Sequence, residues 1–414
     1  MLSSLFRSLP RFPFRRWKPL DFSIPDCIVA PHEIIEEETL PDYRASRFYP
    51  IQIGEVFEDR YQVVGKLGYG VTSTVWLARD MDRRSYVTLK MFVNAASMGE
   101  QIDAELEIYQ RLDKASRHPG RKDIRSLVDS FGITGSGPED THRCLVHPAL
   151  FESLLFFLHR NPVQKLPKVF LAVVLHRLFL SLDYLHTECH TDIKADNIML
   201  SFEDDSSFVL FEQQELQNPS PRKEIDGRSI YLTRDMELHS GKVGPLVLGD
   251  FGSAVLGDGK ELRGDVQPNL YRAPEVILGA PWSYSIDKWN VGCMIWGLFE
   301  GGPLLTGHDP EFEAYRKRAH LAEMINLLGP PPASLLARGA DSEKFFFLDS
   351  GEFREKSLLK PLTPLEARET TLEGEEDRES FLRFMRRMLQ WEPEKRSTAK
   401  ELAEDEWIQT SMKG

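Results

Sequence analysis

Cysteine is scarce: there are four, Cys27, Cys144, Cys189 and Cys293, with no paired spacing among them. That excludes a disulfide scaffold and a thiolate metal cluster, and it suits a reducing compartment. Long apolar runs are missing as well. The most apolar stretch, VFLAVVL from Val169 to Leu175, runs into His176 and Arg177, far short of the ~20 residues needed to span a bilayer. There is no surplus of positive charge: 51 Lys and Arg against 64 Asp and Glu leave a formal net charge of −13. Binding to a phosphate backbone recruits basic surfaces, so direct nucleic-acid recognition is not expected. No internal repeat is present. What remains is an ordinary globular composition, 41% hydrophobic and 28% charged over 414 residues, enough for two or three compact units.

The amino terminus carries Arg7, Arg11, Arg15, Arg16 and Lys18 with no acid before Asp21. This is the composition of an organelle presequence, although Pro10 and Pro13 interrupt a long amphipathic helix. A basic tail and a mitochondrial import signal stand as alternatives. Residues 1–47, basic and then acidic through HEIIEEETLPDYRASR, read as a tail or linker. From about Tyr49, YQVVGKLGYGVTSTVWLARD and SYVTLKMFV are rich in Val, Thr and aromatics and bounded by Gly and Asp82-Arg83-Arg84. They predict an antiparallel hairpin and a third strand. GEQIDAELEIYQRLDKA, with Ile102, Leu106, Tyr109 and Leu112, predicts an amphipathic helix. Beyond residue 150 the pattern becomes mainly helical, with short strands at NIML and PLVLGD. Residues 201–245, polar and turn-prone at NPSPRKEIDGRS, read as an insert, mobile in part. A strand-rich small unit over 48–147 and a helix-rich one over 148–409 make a bilobal α+β plan.

Several short motifs carry chemistry. Leu67-Gly68-Tyr69-Gly70-Val71-Thr72-Ser73-Thr74-Val75 follows G-x-G-x-x-G-x-V except that Ser73 replaces the third glycine. Such a loop lets backbone N–H groups approach phosphates, but alone it is equally a hairpin turn. Lys90 ends the apolar strand Val87–Lys90. It is a solvated edge charge unless an acid holds it, and Glu105 on the following helix is the natural partner, Glu107 the local rival. His190-Thr191-Asp192-Ile193-Lys194-Ala195-Asp196-Asn197 is crowded with groups that bind protons, phosphates and metals. Asp250-Phe251-Gly252 follows a strand, and a carboxylate presented there suits Mg²⁺. Ala273-Pro274-Glu275 comes next, with Arg396 as a distant basic partner for Glu275.

Each motif alone also has an ordinary structural reading. Their order is that of the protein-kinase superfamily, serine/threonine type, which residues 49–407 resemble. The resemblance implies ATP and Mg²⁺. The residues Leu67–Val75 cover the phosphates and Lys90, held by Glu105, positions them. Leu150 meets adenine after a hinge in which His147 is the gatekeeper and Pro148 offers its carbonyl. Asn197 and Asp250 hold the metal, Asp192 accepts the hydroxyl proton, and Lys194 offsets charge on the transferred group. Within the cyclin-dependent, MAP and Clk branch the chain resembles the SR-protein kinases, through YPIQIGEVFEDRYQVVGKLG, STVWLARD, Thr191 and the Asp-Val-Gln before Tyr271-Arg272. That resemblance implies a protein substrate, with Arg/Ser-rich proteins as candidates. It also implies a monomer in cytoplasm or nucleus, and activity without activation-loop phosphorylation, because Thr191 stands where many kinases place a phosphate-binding arginine.

The departures fall in substrate recognition. Arg316, Lys317 and Arg318 lie where an acidic docking groove is expected. Leu362 replaces a docking tryptophan and Asn269 an arginine, while Arg272 is retained. Thr88 stands where alanine usually packs on adenine. A weak pseudokinase scaffold and a small-molecule phosphotransferase are the rival readings. The first must explain why Lys90, Asp192 and Asp250 are all present, and the second why Ala273-Pro274-Glu275 is.

Overall fold

In the computed structural model, residues 16–22, 29–94, 99–113, 117–135, 137, 140–187, 189–190, 195–239, 243–256 and 261–413 are described. The chain divides into two compact units. The first comprises Met1–Met98, Val128–Ala149 and Asp204–Gly241, and the second Gly99–Leu127, Leu150–Glu203 and Lys242–Gly414.

The first unit is built on a six-stranded antiparallel sheet. Its strands are β1 (Val56–Phe57), β2 (Tyr61–Tyr69), β3 (Ser73–Asp80), β4 (Ser85–Phe92), β5 (Asp129–Thr134) and β6 (Thr141–Pro148), in the order β1-β2-β3-β4-β6-β5. Alternation creates its core: Tyr61 and Val63, Trp76 and Ala78, Val87, Leu89 and Met91, then Cys144 and Val146 pack together. At the β3–β4 turn the Asp80 carboxylate accepts from Arg83 N–H at 3.1 Å, and Arg84 takes a left-handed φ of 55°.

The segment expected to be a tail or linker is part of this unit. Residues 16–22 run beside the sheet: Leu20 N–H donates to Gln62 Oε1 at 2.9 Å, and Arg79 donates to the Lys18 carbonyl at 2.9 Å. The acidic run that follows is buried against cations far away in sequence. The fully buried Lys66 ammonium pairs with Glu37 and with Glu36 at 3.2 Å, and donates to the Tyr231 carbonyl at 3.1 Å. Lys223 reaches both oxygens of Glu38 at 2.9 and 3.0 Å. A buried charge must be paired, and this pairing fixes the segment in place.

The insert, read as mobile in part, is likewise folded. It forms a helix, Ser206–Gln217, and a hairpin of Arg222–Ile225 with Arg228–Tyr231. The hairpin turns on Asp226 and Gly227, both left-handed at φ 51° and 77°, which is what an Asp-Gly turn provides. Glu212 of the helix pairs with Arg79 at 2.9 Å, and Arg234 pairs with Glu215 at 2.5 Å.

The second unit is mainly helical. α1 (Gly99–Leu112), α2 (Leu154–Arg160) and α3 (Lys168–Leu185) precede the short β7 (Cys189–His190) and β8 (Ile198–Phe202). β8 pairs antiparallel with Val243–Leu248. The VFLAVVL stretch lies in α3, which buries Leu171, Ala172, Val174, Leu175, Leu178, Phe179, Leu182 and Leu185. The helix Ser285–Glu300 is buried on nearly every side and takes Asp287, Lys288 and Asn290 into the interior with its apolar residues. Glu275 and Arg396, 121 residues apart, form the bidentate pair anticipated from sequence, at 2.7 and 2.8 Å with both side chains fully buried. Gly120 is required by packing: a Cβ there would lie 1.9 Å from the Leu180 carbonyl oxygen. Among the described residues no helix is long and apolar enough to cross a membrane.

Candidate active site

In the first unit, Leu67–Val75 spans the end of β2, the turn after it and the start of β3. Gly70 N–H donates to the Ser73 carbonyl and Val93 N–H to the Thr72 carbonyl, at 2.8 and 2.9 Å. Neither Gly68 nor Gly70 has a left-handed φ, and a Cβ on either would meet nothing within 4 Å. The glycines therefore leave open room over the backbone, which is what phosphate oxygens need. Tyr69 and Val71 are exposed, whereas Ser73 and Thr74 are buried, Thr74 Oγ1 accepting from the Trp76 indole at 2.9 Å. Ser73 and Thr74 thus offer a ligand backbone rather than hydroxyls. Lys90 on β4 pairs in register with Val75 and with Leu145, and its ammonium lies 4.9 Å from the Phe92 ring centroid. His147 is fully buried, opposite Thr88 in the ladder.

In the second unit, α1 turns Glu105 inward with Ile102, Ile108, Tyr109 and Leu112, leaving it 2% exposed. Glu107 faces outward and pairs with Arg111 at 2.9 Å. Leu150 is buried. Asn197 closes a 3-10 turn just before β8 and is buried. Because Ile198 pairs with Leu248, Asn197 stands beside Gly249, and Gly249 N–H donates to the Asn197 carbonyl at 2.9 Å. Asp250 follows at once, exposed and in the left-handed region at φ 61°. Backbone strain of this kind at a carboxylate is characteristic of functional sites. Asn197 and Asp250 supply hard oxygen donors from adjacent strand ends, a set that fits Mg²⁺ held partly by phosphates and water. Asp192 and Lys194 lie outside the described residues. Next to them in sequence, His186 Nε2 is 3.0 Å from the fully buried Asp287 carboxylate.

The segment after Asp250 is tied down by hydrogen bonds to the main chain and by an ion pair of Lys317 with Asp265 at 2.6 Å. Gln267 donates to the Ile286 carbonyl and accepts from Ala273 N–H, at 2.8 and 2.9 Å. The Trp282 indole donates to the Gly264 carbonyl at 3.2 Å. Arg272 spends donors on the carbonyls of Val266 and Gln267 at 3.2 and 3.1 Å. A cavity of about 590 Å³ opens here, lined by Ser253, Arg263, Asp265, Gln267, Arg272 and Trp282. Two residues near Asp250 were missed from the sequence, Tyr109 as more than a packing residue and Arg125 altogether. Tyr109 meets Phe251 edge-on with ring centroids 5.2 Å apart. Burial and then the Glu105 charge push its hydroxyl pKa up.

An antiparallel sheet with a glycine-spaced turn and a strand lysine, and a helical unit that brings an asparagine beside an aspartate, together define a protein kinase. The protein kinase domain family matches residues 61–408. A serine/threonine protein kinase of Aspergillus fumigatus is 39% identical over 412 residues, covering 98% of both chains. The serine/threonine-protein kinase SRPK of Physarum polycephalum is 31% identical, covering 90% of this chain and 91% of its own. Human SRSF protein kinase 3 is 25% identical, with 90% of each chain covered. A crystal structure of a kinase domain shares the fold, with a TM-score of 0.66 and 22% identity over 87% of this chain and 98% of that one. The chain belongs to the protein kinase family, and within it to the serine/threonine kinases.

Proposed function

We propose that the chain is an ATP- and Mg²⁺-dependent kinase that transfers the γ-phosphoryl group to Ser or Thr of a protein, with Arg/Ser-rich proteins as candidate substrates. The observation that carries this reading is Asp250, left-handed at a strand end and bound through Gly249 to Asn197. Bound Mg²⁺ would neutralise charge on the phosphates. The open backbone at Gly68 and Gly70 would receive those phosphates, and Lys90 would supply their counter-charge. Leu150 contributes backbone to the base. Asp192 orients the acceptor hydroxyl and takes its proton while Lys194 offsets charge on the group in flight, so most of the rate comes from positioning and electrostatics. The test is ATP- and Mg²⁺-dependent labelling of a basic protein substrate. Asp250→Asn should lose metal-dependent nucleotide binding and transfer together. Unimpaired labelling by that variant would leave the reading without support.

Activity without activation-loop phosphorylation belongs to the same proposal. It is supported by the way Gln267, Trp282 and the main-chain-bound Arg272 hold the segment without an added phosphate. Phosphatase treatment of active enzyme should leave its turnover unchanged, and lost turnover would contradict this. A positional peptide library decides substrate class, with preference for Arg beside the acceptor as the expected result. We further propose a monomer located in the cytoplasm, the nucleus or both. The mitochondrial alternative rests on the arginines of residues 1–20, and microscopy of the tagged full chain separates the two.

A further inference from the structure

Arg125 lies directly under the turn that presents Asp250. Ile124 bridges to Leu248 in parallel, and Arg125 N–H donates to the Leu248 carbonyl at 2.8 Å. The Arg125 stem rests on the next residue: a Cβ on Gly249 would come 3.0 Å from Arg125 Cδ and 3.3 Å from its Cβ. The backbone entering Asp250 is therefore seated on this side chain, whose Nε is sealed from solvent although the residue keeps some exposure. Two carboxylates converge just beyond. A Cβ on Gly252 would lie 3.0 Å from Glu105 Oε2 and 3.4 Å from Asp250 Oδ1. Gln101 fixes the same turn from α1, donating to the Gly252 carbonyl at 3.1 Å. Burial works against the Arg125 charge, whereas Tyr109, Asp250 and Glu105 favour it. Arginine cannot shed its proton in response, so the cation is permanent.

Resting on the reading of Asp250 as the metal ligand, we propose that Arg125 is a positioning residue of the phosphoryl-transfer site. It is a fixed internal cation that seats the Asp250 turn and lets Glu105 and Asp250 stand close together before metal and nucleotide arrive. Two like charges that both approach Gly252 so closely repel each other, and a nearby cation that favours both relieves that repulsion. The same cation competes electrostatically with Mg²⁺, so it sets metal affinity as well as geometry.

The test follows thermal unfolding of the full chain with ADP across a Mg²⁺ titration, together with kcat. Arg125→Met is expected to melt lower than wild type without metal. Its half-maximal Mg²⁺ concentration should fall at least threefold, because no internal cation opposes the metal, and its kcat should fall about tenfold or more. Arg125→Lys should keep the wild-type Mg²⁺ half-point. A Met variant with an unchanged half-point overturns the proposal, since a purely structural role lowers melting without moving metal affinity. Should the Met variant fail to fold, a half-point shifted more than threefold in Arg125→Lys overturns it instead. Mg²⁺ stabilisation that survives Asp250→Asn sinks the metal reading and the proposal with it. Dependence on Asp250 with indifference to Arg125 sinks the proposal alone.

Discussion

Lys288→Met is expected to stabilise the protein, fully below about pH 8 and progressively less as pH rises towards ~10.4. Lys288 sits on the helix Ser285–Glu300 with 2% exposure, its ammonium 5.1 Å from the Tyr284 ring centroid. Burial, and then the Arg396 charge, push its pKa down to about 8, with Asp287, Glu275 and Glu401 pulling the other way. The folded value lies below the ~10.4 of an unfolded lysine, so below pH 8 both states are protonated and the folded state carries the whole penalty. Between about 8 and ~10.4 the unfolded chain binds more protons than the folded one, so stability rises with pH and the penalty disappears. The interval from about 8 to ~10.4, at 1.36 kcal/mol per pH unit, gives a cost of about 3 kcal/mol at pH 7. Methionine matches the length of the stem without the charge. Calorimetric melting of wild type and variant at pH 7 and pH 10 reads the difference. The variant should melt several degrees higher at pH 7, each kcal/mol being worth roughly 2–4 °C in domains of 150–250 residues, and most of that gap should be gone at pH 10. A variant no more stable at pH 7, or a gap indifferent to pH, refutes the reasoning.

Arg396→Met strands Glu275 in a sealed interior, and loss of one partner of such a pair costs about 3–5 kcal/mol. A denaturant midpoint close to wild type would contradict that. Gly120→Ala drives a methyl group to within 1.9 Å of the Leu180 carbonyl oxygen, so soluble yield and melting temperature should both fall, overpacking costing ~1–3 kcal/mol or more. Asp192→Asn should lower kcat by ~10²–10⁴-fold while nucleotide affinity stays near wild type, as measured by single-turnover kinetics and equilibrium binding.

The parts legible in the sequence are those with a local signature. The strands of YQVVGKLGYG and STVWLARD are rich in Val, Thr and aromatics with turn residues at their ends, and α1 repeats its apolar positions at helical spacing. The same spacing separates the inward Glu105 from the outward Glu107. The Glu275–Arg396 pair was accessible only because motif order singled out both residues. Contacts with no local signature were not legible. Nothing near Glu37 in sequence announces Lys66, and Lys223 finds Glu38 across 185 positions. The acidic run therefore looked like solvated linker. The hairpin of the insert did carry a signal, the Asp226-Gly227 dipeptide, which was outweighed by the polarity around it. Arg125 reads as a surface charge in IRSLV and gains meaning only once Leu248 and Gly249 are laid against it.

The pairing of Lys66 with Glu36 and Glu37 also bears on how this enzyme is made and handled. A fragment cut to start at residue 61, where the family match begins, would keep the ammonium but discard both counter-ions together with the segment that carries them. A nascent chain faces the same gap from the other end: until Tyr231 has left the ribosome, the carbonyl that completes the shell around Lys66 does not yet exist. The small unit would then be finished by residues synthesised long after its sheet, making it vulnerable to early termination anywhere before the hairpin.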